Sequence, residues 1–387
     1  MPATKLNNLI YRARIALPWG VPRLEKDPRL IVQGSPLHNR SDYVRLLRRH
    51  HVLGSAALLR DPMHRVILLC SSARPAHTVT EHSLFRVASI TKMAASLAAL
   101  RAVDEGRLAL DVPIRSFLSA QSSLPELEGV TLRHLLSHTS GLKDPENLET
   151  ALNRELPFPE ILPGCRASAP GEMFRYSNLG FGLIGSLLEA VYHQPVSIIL
   201  RQLVFQPLGM NATLSAADLD PSAIVPITRI WPWNPGKDLI LTSLGSRPIT
   251  APDPLRHYGF TSGAMYVDLP SLERLTDCLM HQGIPLLRPE IGALMAEKHA
   301  EYGSVSPTLS YGFGLLRIQD HSLSGSIILG HQGFAYGCAD GAFWEEGTDR
   351  MILFLNGGCS EARTGRLGLA NRDMLRWALK TEMPSWT

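Results

Sequence analysis

The sequence predicts a mixed α/β fold in which strands from both ends of the chain form one sheet and the middle is mostly helical. Short apolar runs bounded by turn residues occur at 54–59 and 66–70, a pattern typical of a β-hairpin. Apolar runs of this kind return after residue 311. Between them, apolar residues recur at spacings of three or four, which indicates helices. A single sheet built from both ends is the simplest architecture that unites these patterns.

The predicted elements follow in chain order from the same patterns. The helix at 89–103 has one apolar face, with Ser89 as a candidate N-cap and Gly106 where the helix should stop. The later helices are predicted at 131–138, 180–192, 196–204, 269–281 and 361–379. The later strands are predicted at 311–317, 326–329, 341–344 and 351–355.

The chain divides into three predicted parts. Residues 1–45 are basic and Pro-punctuated and are interpreted as an N-terminal extension. Residues 46–115 plus 300–387 are assigned to the α/β sheet domain, and 116–299 to a mainly helical domain. Within the latter, a Pro- and Trp-rich stretch predicts a long loop. The aromatic residues in or near this loop that are candidates to wall a site are Trp231, Trp233 and Tyr258.

Composition excludes several classes of protein. Of the 387 residues, 45% are hydrophobic, so the chain can bury a sizeable core. The 38 basic and 35 acidic residues nearly balance, which argues against a nucleic-acid partner. No apolar run approaches the roughly 18–20 residues of a membrane span, and the stretch 16–21 is shorter than a signal-peptide core of roughly 7–15 residues. We therefore expect a cytoplasmic protein with no membrane partner.

The cysteines predict no special chemistry. They are scattered and never occur in C-x-x-C spacing, so neither a disulfide framework nor a zinc site follows from them. Buried, reduced thiols are the expected state. The five are Cys70, Cys165, Cys278, Cys338 and Cys359.

Ser89 and Lys92 form an S-x-x-K pair at the start of the predicted helix. Residues three apart are neighbours on one helical face, about 4.5 Å apart along the axis. A serine hydroxyl becomes a nucleophile when a base takes its proton, and a desolvated lysine with a lowered pKa can be that base. A second match, Ser140 and Lys143, lies in a loop, where the lysine has no defined direction.

Two further motifs are ambiguous when considered singly. Tyr176 and Asn178 form a Y-x-N before a helix; a proton relay and a substrate amide contact are the functional interpretation, and core packing and helix capping are the structural one. His331 and Gly333 form an H-x-G after an apolar strand, where a missing side chain lets a substrate backbone approach. An ordinary strand bend explains this last motif equally well.

The order S-x-x-K, Y-x-N, H-x-G, together with the run 131–142, resembles the β-lactamase-related serine hydrolases over roughly residues 50–385. That superfamily contains class C β-lactamases, DD-peptidases, D-aminopeptidases, carboxylesterases and some acyltransferases. The resemblance implies the β-lactamase/transpeptidase-like fold, an antiparallel sheet flanked by helices. It also implies that the run 134–142 is structural, so His134 and His138 are not interpreted as metal ligands.

The resemblance implies a role for each motif residue. Ser89 would be the acylated nucleophile, Lys92 the base that activates it, and Tyr176 the residue that completes the proton relay. No metal and no organic cofactor is implied.

The remaining motif residues would face the substrate. Asn178 would contact it directly, and His331 and Gly333 would lie on the strand that edges the cleft. The oxyanion hole would use the backbone N–H groups of Ser89 and Phe334.

The third motif departs from that of penicillin-recognising members, which usually carry K-T-G. Here His331 replaces the lysine and Gln332 the hydroxyl residue. A β-lactam carboxylate would meet a mostly neutral imidazole at neutral pH, which weakens the expectation of antibiotic binding. The H-x-G resembles the D-aminopeptidase and esterase members.

These motifs predict a serine hydrolase that cleaves a small-molecule ester or amide through an acyl-Ser89 intermediate. Three alternatives stay open: an acyltransferase with the same acyl-enzyme, a β-lactamase or DD-peptidase, and a non-catalytic binding protein of the same fold. The run 180–185 also matches the dinucleotide fingerprint G-x-G-x-x-G. Because a loop and not a strand precedes it, we interpret its glycines as helix-packing positions.

Overall fold

The computed structural model describes residues 24–72, 77–118, 124–227, 247–335, 337–358, 363–364 and 366–381. The α-helices in these ranges are α1 (Arg40–Arg49), α2 (Thr91–Asp104), α3 (Leu132–Leu136), α4 (Leu148–Asn153), α5 (Phe158–Ile161), α6 (Asn178–Tyr192), α7 (Val196–Leu200), α8 (Phe260–Gly263), α9 (Leu269–Met280), α10 (Pro289–Ala296) and α11 (Leu369–Lys380).

The strands of the same ranges form three sheets. They are β1 (Arg29–Gly34), β2 (Gly54–Arg60), β3 (Arg65–Ser71), β4 (Phe85–Arg86), β5 (Ala212–Thr213), β6 (Tyr266–Val267), β7 (Ala300–Glu301), β8 (Leu309–Tyr311), β9 (Leu316–Ile318), β10 (Ile328–Ala335), β11 (Cys338–Glu345), β12 (Met351–Asn356), β13 (Arg363–Thr364) and β14 (Leu367–Gly368).

One nine-stranded antiparallel sheet dominates the molecule. Its strand order is β1-β3-β2-β12-β11-β10-β9-β8-β7, so the two ends of the chain meet where β2 pairs with β12. The pairing runs from Ser55 opposite Asn356 to Arg60 opposite Met351. The predicted sheet built from both chain ends is thereby confirmed, as is the hairpin formed by β2 and β3.

Both faces of the central strands are covered by helices. Helix α11, backed by α1, packs on β11 and β12, and α9 packs on the same two strands. Every residue of β12 is buried, and so is nearly every residue of β2 and β11. Continuous apolar runs are typical of strands buried on both faces, and this is why these strands were recognisable in the sequence.

The predicted N-terminal extension contains a strand and the start of a helix. Residues 29–34 form β1, which pairs with β3 from Arg29 opposite Ser71 to Gly34 opposite Val66, and α1 follows before residue 45 is reached. This edge strand has a short apolar run and is partly exposed along its length. Its pattern was therefore too weak to predict a strand. Residues 1–23 lie outside the described part of the chain.

Two other predicted elements differ in extent. The predicted strand at 311–317 is the hairpin of β8 and β9, because the chain turns at Gly314, whose φ of +69° favours glycine. The predicted helix at 361–379 begins only at Leu369, after the short hairpin of β13 and β14. Turns and short hairpins leave little periodicity to detect.

Several side chains singled out in the sequence have ordinary structural places. Tyr258 does not wall a cleft: it is 1% exposed and its hydroxyl donates to the carbonyl of Leu156. Trp231 and Trp233 lie outside the described residues. Within those ranges the cysteines Cys70, Cys165, Cys278 and Cys338 are buried free thiols, as expected, and Cys359 falls outside.

In the described ranges, no single helix is long and apolar enough to cross a bilayer. One bent pair, Asn178–Tyr192 with Val196–Phe205 at 88°, meets the criterion by length and composition only.

The glycines of the run 180–185 lie inside α6 and not in a phosphate-binding turn. A Cβ atom at Gly182 would stand 1.4 Å from the carbonyl oxygen of Tyr258, and one at Gly185 would stand 3.0 Å from Thr261 Oγ1. Missing side chains therefore let α6 pack directly on the backbone that leads into α8. The interpretation of this run as helix-packing glycines is confirmed.

We expect Gly182→Ala to lower the free energy of unfolding by about 3 kcal/mol, because the methyl group collides with backbone that must move. Gly180→Ala is the matched control in the same helix, since a Cβ there meets its nearest atoms at 3.4 Å. Urea denaturation of both variants measures the difference. Equal losses of stability would contradict the packing explanation.

Candidate active site

The Ser89 side chain is presented by a tight turn ahead of α2. Residues Ala88–Ile90 form a 3₁₀ turn, and the N-cap position of α2 is Ile90. The predicted N-cap role of Ser89 is therefore wrong. Ala88 has a φ of +43°, in the left-handed region that non-glycine residues rarely adopt. Such strain is held by surrounding contacts, here the hydrogen bond that Thr91 Oγ1 donates to the Ala88 carbonyl.

The three predicted catalytic side chains meet at the Ser89 hydroxyl. Lys92 Nζ lies 3.1 Å from Ser89 Oγ, and the Tyr176 hydroxyl donates to the same oxygen at 2.8 Å. Tyr176 comes from the loop before α6, 87 residues along the chain. Lys92 is completely buried, whereas Ser89 is only partly covered. The structure thus brings the S-x-x-K and Y-x-N motifs together around one partly accessible oxygen.

The contacts of Lys92 assign a direction to its lone pair. Nζ lies 3.0 Å from Asn178 Oδ1 and 2.5 Å from the carbonyl oxygen of Ser262, and both oxygens can only accept. A neutral amine has two N–H donors and one lone pair. With both donors directed at these acceptors, the lone pair is left for the third neighbour, Ser89 Oγ. This is the arrangement that a general base requires.

Burial also supplies the protonation state that this role needs. Desolvation lowers the pKa of Lys92 from 10.5 to about 7, partly opposed by the negative charge of Asp144 and assisted by the positive charge of Arg86. A substantial fraction of the amine is therefore neutral near pH 7. The reason proposed from the sequence, desolvation of a lysine one turn after the serine, is the cause found in the structure.

Asp144 orders the start of α6 and was missed in the sequence. Its Oδ1 accepts from Ser177 Oγ and from the Leu179 N–H, both at 2.9 Å, and its Oδ2 accepts from Asn178 Nδ2 at 3.0 Å. Ser177 Oγ in turn accepts from the Gly180 N–H as the helix N-cap. Asp144 directly follows Lys143. Its carboxylate therefore lies in the loop of the second S-x-x-K match, to which the sequence analysis assigned no catalytic role.

An aromatic cluster backs Tyr176. The ring of His138 lies 4.2 Å from that of Tyr176 by centroids, and His138 Nδ1 accepts from the Ser177 N–H at 3.2 Å. His134 instead belongs to the capping box of α3 with Thr131. The remaining rings in contact with His138 are Phe174, Phe181 and Tyr311. Both histidines have structural roles, as predicted for the run 134–142.

His331 lies behind the site and not on its surface. It is 2% exposed; Nδ1 donates to its neighbour's carbonyl, that of Gln332, at 2.7 Å. Nε2 is then the acceptor for the Tyr311 hydroxyl at 2.9 Å. Burial, with the nearby charge of Lys92, lowers the pKa of His331 to about 3, so the imidazole is neutral. The side chain supports Tyr311, which differs from the predicted contact with substrate.

Gly333 brings β10 against the nucleophile turn. A Cβ atom there would stand 2.4 Å from the carbonyl oxygen of Val87. Gln332 faces away: its Nε2 donates to Arg366 O, and its Oε1 accepts from the Gly368 N–H at the start of α11. The close approach of β10 is consistent with an oxyanion hole formed by the backbone of Ser89 and Phe334, which stays a prediction.

Curated relatives match the chain in part. Esterase EstB of Burkholderia gladioli is 31% identical over 190 residues, which cover 43% of this chain and 47% of the esterase. The D-alanyl-D-alanine-carboxypeptidase/endopeptidase AmpH of Escherichia coli is 28% identical over 171 residues, which cover 41% of this chain and 44% of that protein. The matches thus span less than half the length of these relatives.

Solved structures share the fold over most of the chain. The D-amino acid amidase of Ochrobactrum anthropi, in its complex with L-phenylalanine, superposes with a TM-score of 0.66 at 22% identity, covering 84% of this chain and 93% of its own. EstCE1, a hydrolase with promiscuous acyltransferase activity, superposes with a TM-score of 0.62 at 23% identity, covering 84% and 94%.

The Beta-lactamase family model matches residues 42–344. That range contains the nucleophile turn, the Y-x-N loop and the strand with the H-x-G motif. It also covers well over half of the 387 residues. The chain therefore belongs to the beta-lactamase family.

Proposed function

We propose that this protein is a serine hydrolase that cleaves a small ester or amide through an acyl-Ser89 intermediate. The observation that carries the proposal is the arrangement of Lys92, whose two N–H donors are directed at Asn178 Oδ1 and the Ser262 carbonyl. Its lone pair is thereby left for the Ser89 hydroxyl. The names of EstB and of the D-amino acid amidase support the ester and amide classes.

The mechanism follows from these contacts. As Ser89 Oγ attacks the substrate carbonyl carbon, its proton passes to Lys92 Nζ. The tetrahedral intermediate collapses by breaking the bond to the leaving alkoxide or amine, which takes a proton from the Tyr176 hydroxyl; Lys92 then restores that proton. A water molecule then attacks the carbonyl carbon of acyl-Ser89 through the same proton transfers. An acid is released and Ser89 is regenerated.

The alternatives are weighed by the same geometry. An acyltransferase would use the identical acyl-enzyme with an alcohol or amine in place of water, and the name of EstCE1 supports keeping it as the second candidate. A non-catalytic binding protein would have no need of a buried lysine aimed at a serine. Recognition of a β-lactam or D-Ala-D-Ala carboxylate is disfavoured because buried, neutral His331 replaces the lysine of K-T-G. The cytoplasmic location stays a prediction.

A serine-directed fluorophosphonate is expected to label the wild type once per chain and to leave Ser89→Ala unlabelled. The matched control is Ser140→Ala, which removes the other S-x-x-K serine; its buried hydroxyl accepts from the Leu142 N–H and should label normally. Intact-mass spectrometry measures the adduct. Labelling that survives in Ser89→Ala would sink the proposal.

The rate of acylation should rise with pH through about 7, where Lys92 loses its proton. Below this pH the ammonium form has no lone pair to accept the Ser89 proton, so kcat/KM for a p-nitrophenyl ester should fall. Lys92→Met should lose activity throughout, whereas Lys143→Met, at an exposed lysine, should keep the wild-type profile. A wild-type profile that is flat across the neutral range contradicts the assignment of Lys92 as the base.

Short p-nitrophenyl esters or D-amino-acid p-nitroanilides should be turned over at least about tenfold faster than nitrocefin, since buried, neutral His331 leaves the third motif without a positive charge for the carboxylate. Adding an alcohol acceptor during turnover distinguishes hydrolysis from acyl transfer by the condensed product. Preferred turnover of nitrocefin would instead favour the β-lactamase alternative.

A further inference from the structure

We propose that Asp144 is a positioning residue of this site, which orients the Asn178 amide so that its oxygen faces Lys92 and supplies negative charge beside the amine. The inference rests on the proposed function and deepens it. No motif identified in the sequence contains Asp144. Its carboxylate makes three hydrogen bonds to consecutive residues, Ser177, Asn178 and Leu179, and none of them is to the nucleophile itself.

Asp144 fixes the orientation of the Asn178 amide. An amide can present either its oxygen or its NH₂ group in a given direction, and only its hydrogen bonds decide which. A carboxylate only accepts, so Asp144 Oδ2 holds the NH₂ group at 3.0 Å. Asn178 Oδ1 is thereby directed at Lys92 Nζ, also at 3.0 Å. Asp144 thus determines which atom the lysine meets.

A rotated Asn178 amide would occupy the lone pair of Lys92. With its NH₂ group turned toward Lys92, Asn178 would offer a donor, and the acceptor available to it would be the amine lone pair. That lone pair would then be withdrawn from Ser89 Oγ, 3.1 Å away. One N–H of Lys92 would also lose its acceptor in a fully buried place, which is costly. The orientation of the Asn178 amide therefore decides whether the lone pair of Lys92 is available to Ser89 or is bound by Asn178.

The other carboxylate oxygen of Asp144 binds the start of α6. Asp144 Oδ1 binds Ser177 Oγ and the Leu179 N–H in the first turn of α6. Negative charge is stabilised at a helix N-terminus, and α6 spans 15 residues, so the Asp144 carboxylate lies at the favourable end of the helix dipole. The same group therefore anchors the loop that carries Tyr176, whose hydroxyl reaches Ser89.

The charge of Asp144 also acts on Lys92. The charged and titratable groups that face Lys92 come from several elements. Asp144 raises the pKa of Lys92, and Arg86 of β4 lowers it. The pKa of His138 and that of His331 are both lowered by burial, so these imidazoles are neutral, and the Tyr176 ring lies 4.9 Å from Nζ. Asp144 is therefore the group that limits how far burial depresses the pKa of the base.

The test is the pH profile of kcat/KM for a p-nitrophenyl ester in Asp144→Asn. We expect the plateau to fall by about tenfold or more, because the Asn178 amide loses its fixed orientation. We also expect the acidic limb to move to lower pH, because the pKa of Lys92 falls when the negative charge is removed. A lower plateau with the limb unmoved would mean a merely structural role and would overturn the proposal.

Matched variants isolate the cause. Glu146→Gln removes an exposed carboxylate two residues further along the same loop and should change neither plateau nor limb. Arg86→Met should move the limb in the opposite direction, to higher pH. Asp144→Glu keeps the charge, so its limb should stay at the wild-type position while its plateau falls. Asp144→Ala removes the same charge as Asp144→Asn and takes its place if Asp144→Asn does not fold. A limb that moves equally in Asp144→Glu and Asp144→Asn overturns the electrostatic part.

A double-mutant cycle tests whether the plateau effect passes through the amide. In Asn178→Ala, replacing Asp144 by Asn should lower the plateau by much less than in the wild type, because the group being oriented is absent. Additive losses would overturn the orientation step. Failure of the proposed function is a separate outcome, since it would appear as an unlabelled wild-type Ser89 before any variant is compared.

Discussion

The arrangement of this site depends on the burial of a single amine. Lys92 lies on the first turn of α2, fully enclosed, with its amine nitrogen surrounded by one hydroxyl and two acceptor oxygens. Exclusion of water lowers its pKa, and the fixed acceptors decide where its lone pair points. Two other elements serve the second of these conditions: α8 supplies the Ser262 carbonyl, and the start of α6 supplies the Asn178 amide.

The position of β10 shows how the sheet contributes. It lies against the nucleophile turn because Gly333 has no side chain to collide with the Val87 carbonyl. Its neighbouring residues alternate in direction, so His331 turns inward to hold Tyr311 while Gln332 turns outward to hold the start of α11. The third motif is thus a structural junction between sheet, helix and aromatic cluster. Its lack of a positive charge separates it from a K-T-G motif.

Much of this site could be predicted from the sequence, and the limits have physical causes. Ser89, Lys92 and Tyr176 were found because motif spacing and order carry information within short segments. Asp144 was not found, because its importance lies in hydrogen bonds across 33 to 35 residues that leave no local pattern. The edge strand β1 was missed for a related reason: a strand with one neighbour and partial exposure needs few apolar residues.

The pairing of β2 with β12 has a consequence for how the protein folds during synthesis. Ser89 and Gly333 belong to segments far apart in the chain, and β10, which lies against the nucleophile turn, is part of the sheet in which β2 pairs with β12. Contacts of such long sequence separation form late, since loop-closure entropy must first be overcome. A nascent chain that has emerged only as far as the helical middle therefore lacks the strand that lies against the nucleophile turn. The contact between β10 and the nucleophile turn is in this sense among the last of the site to form.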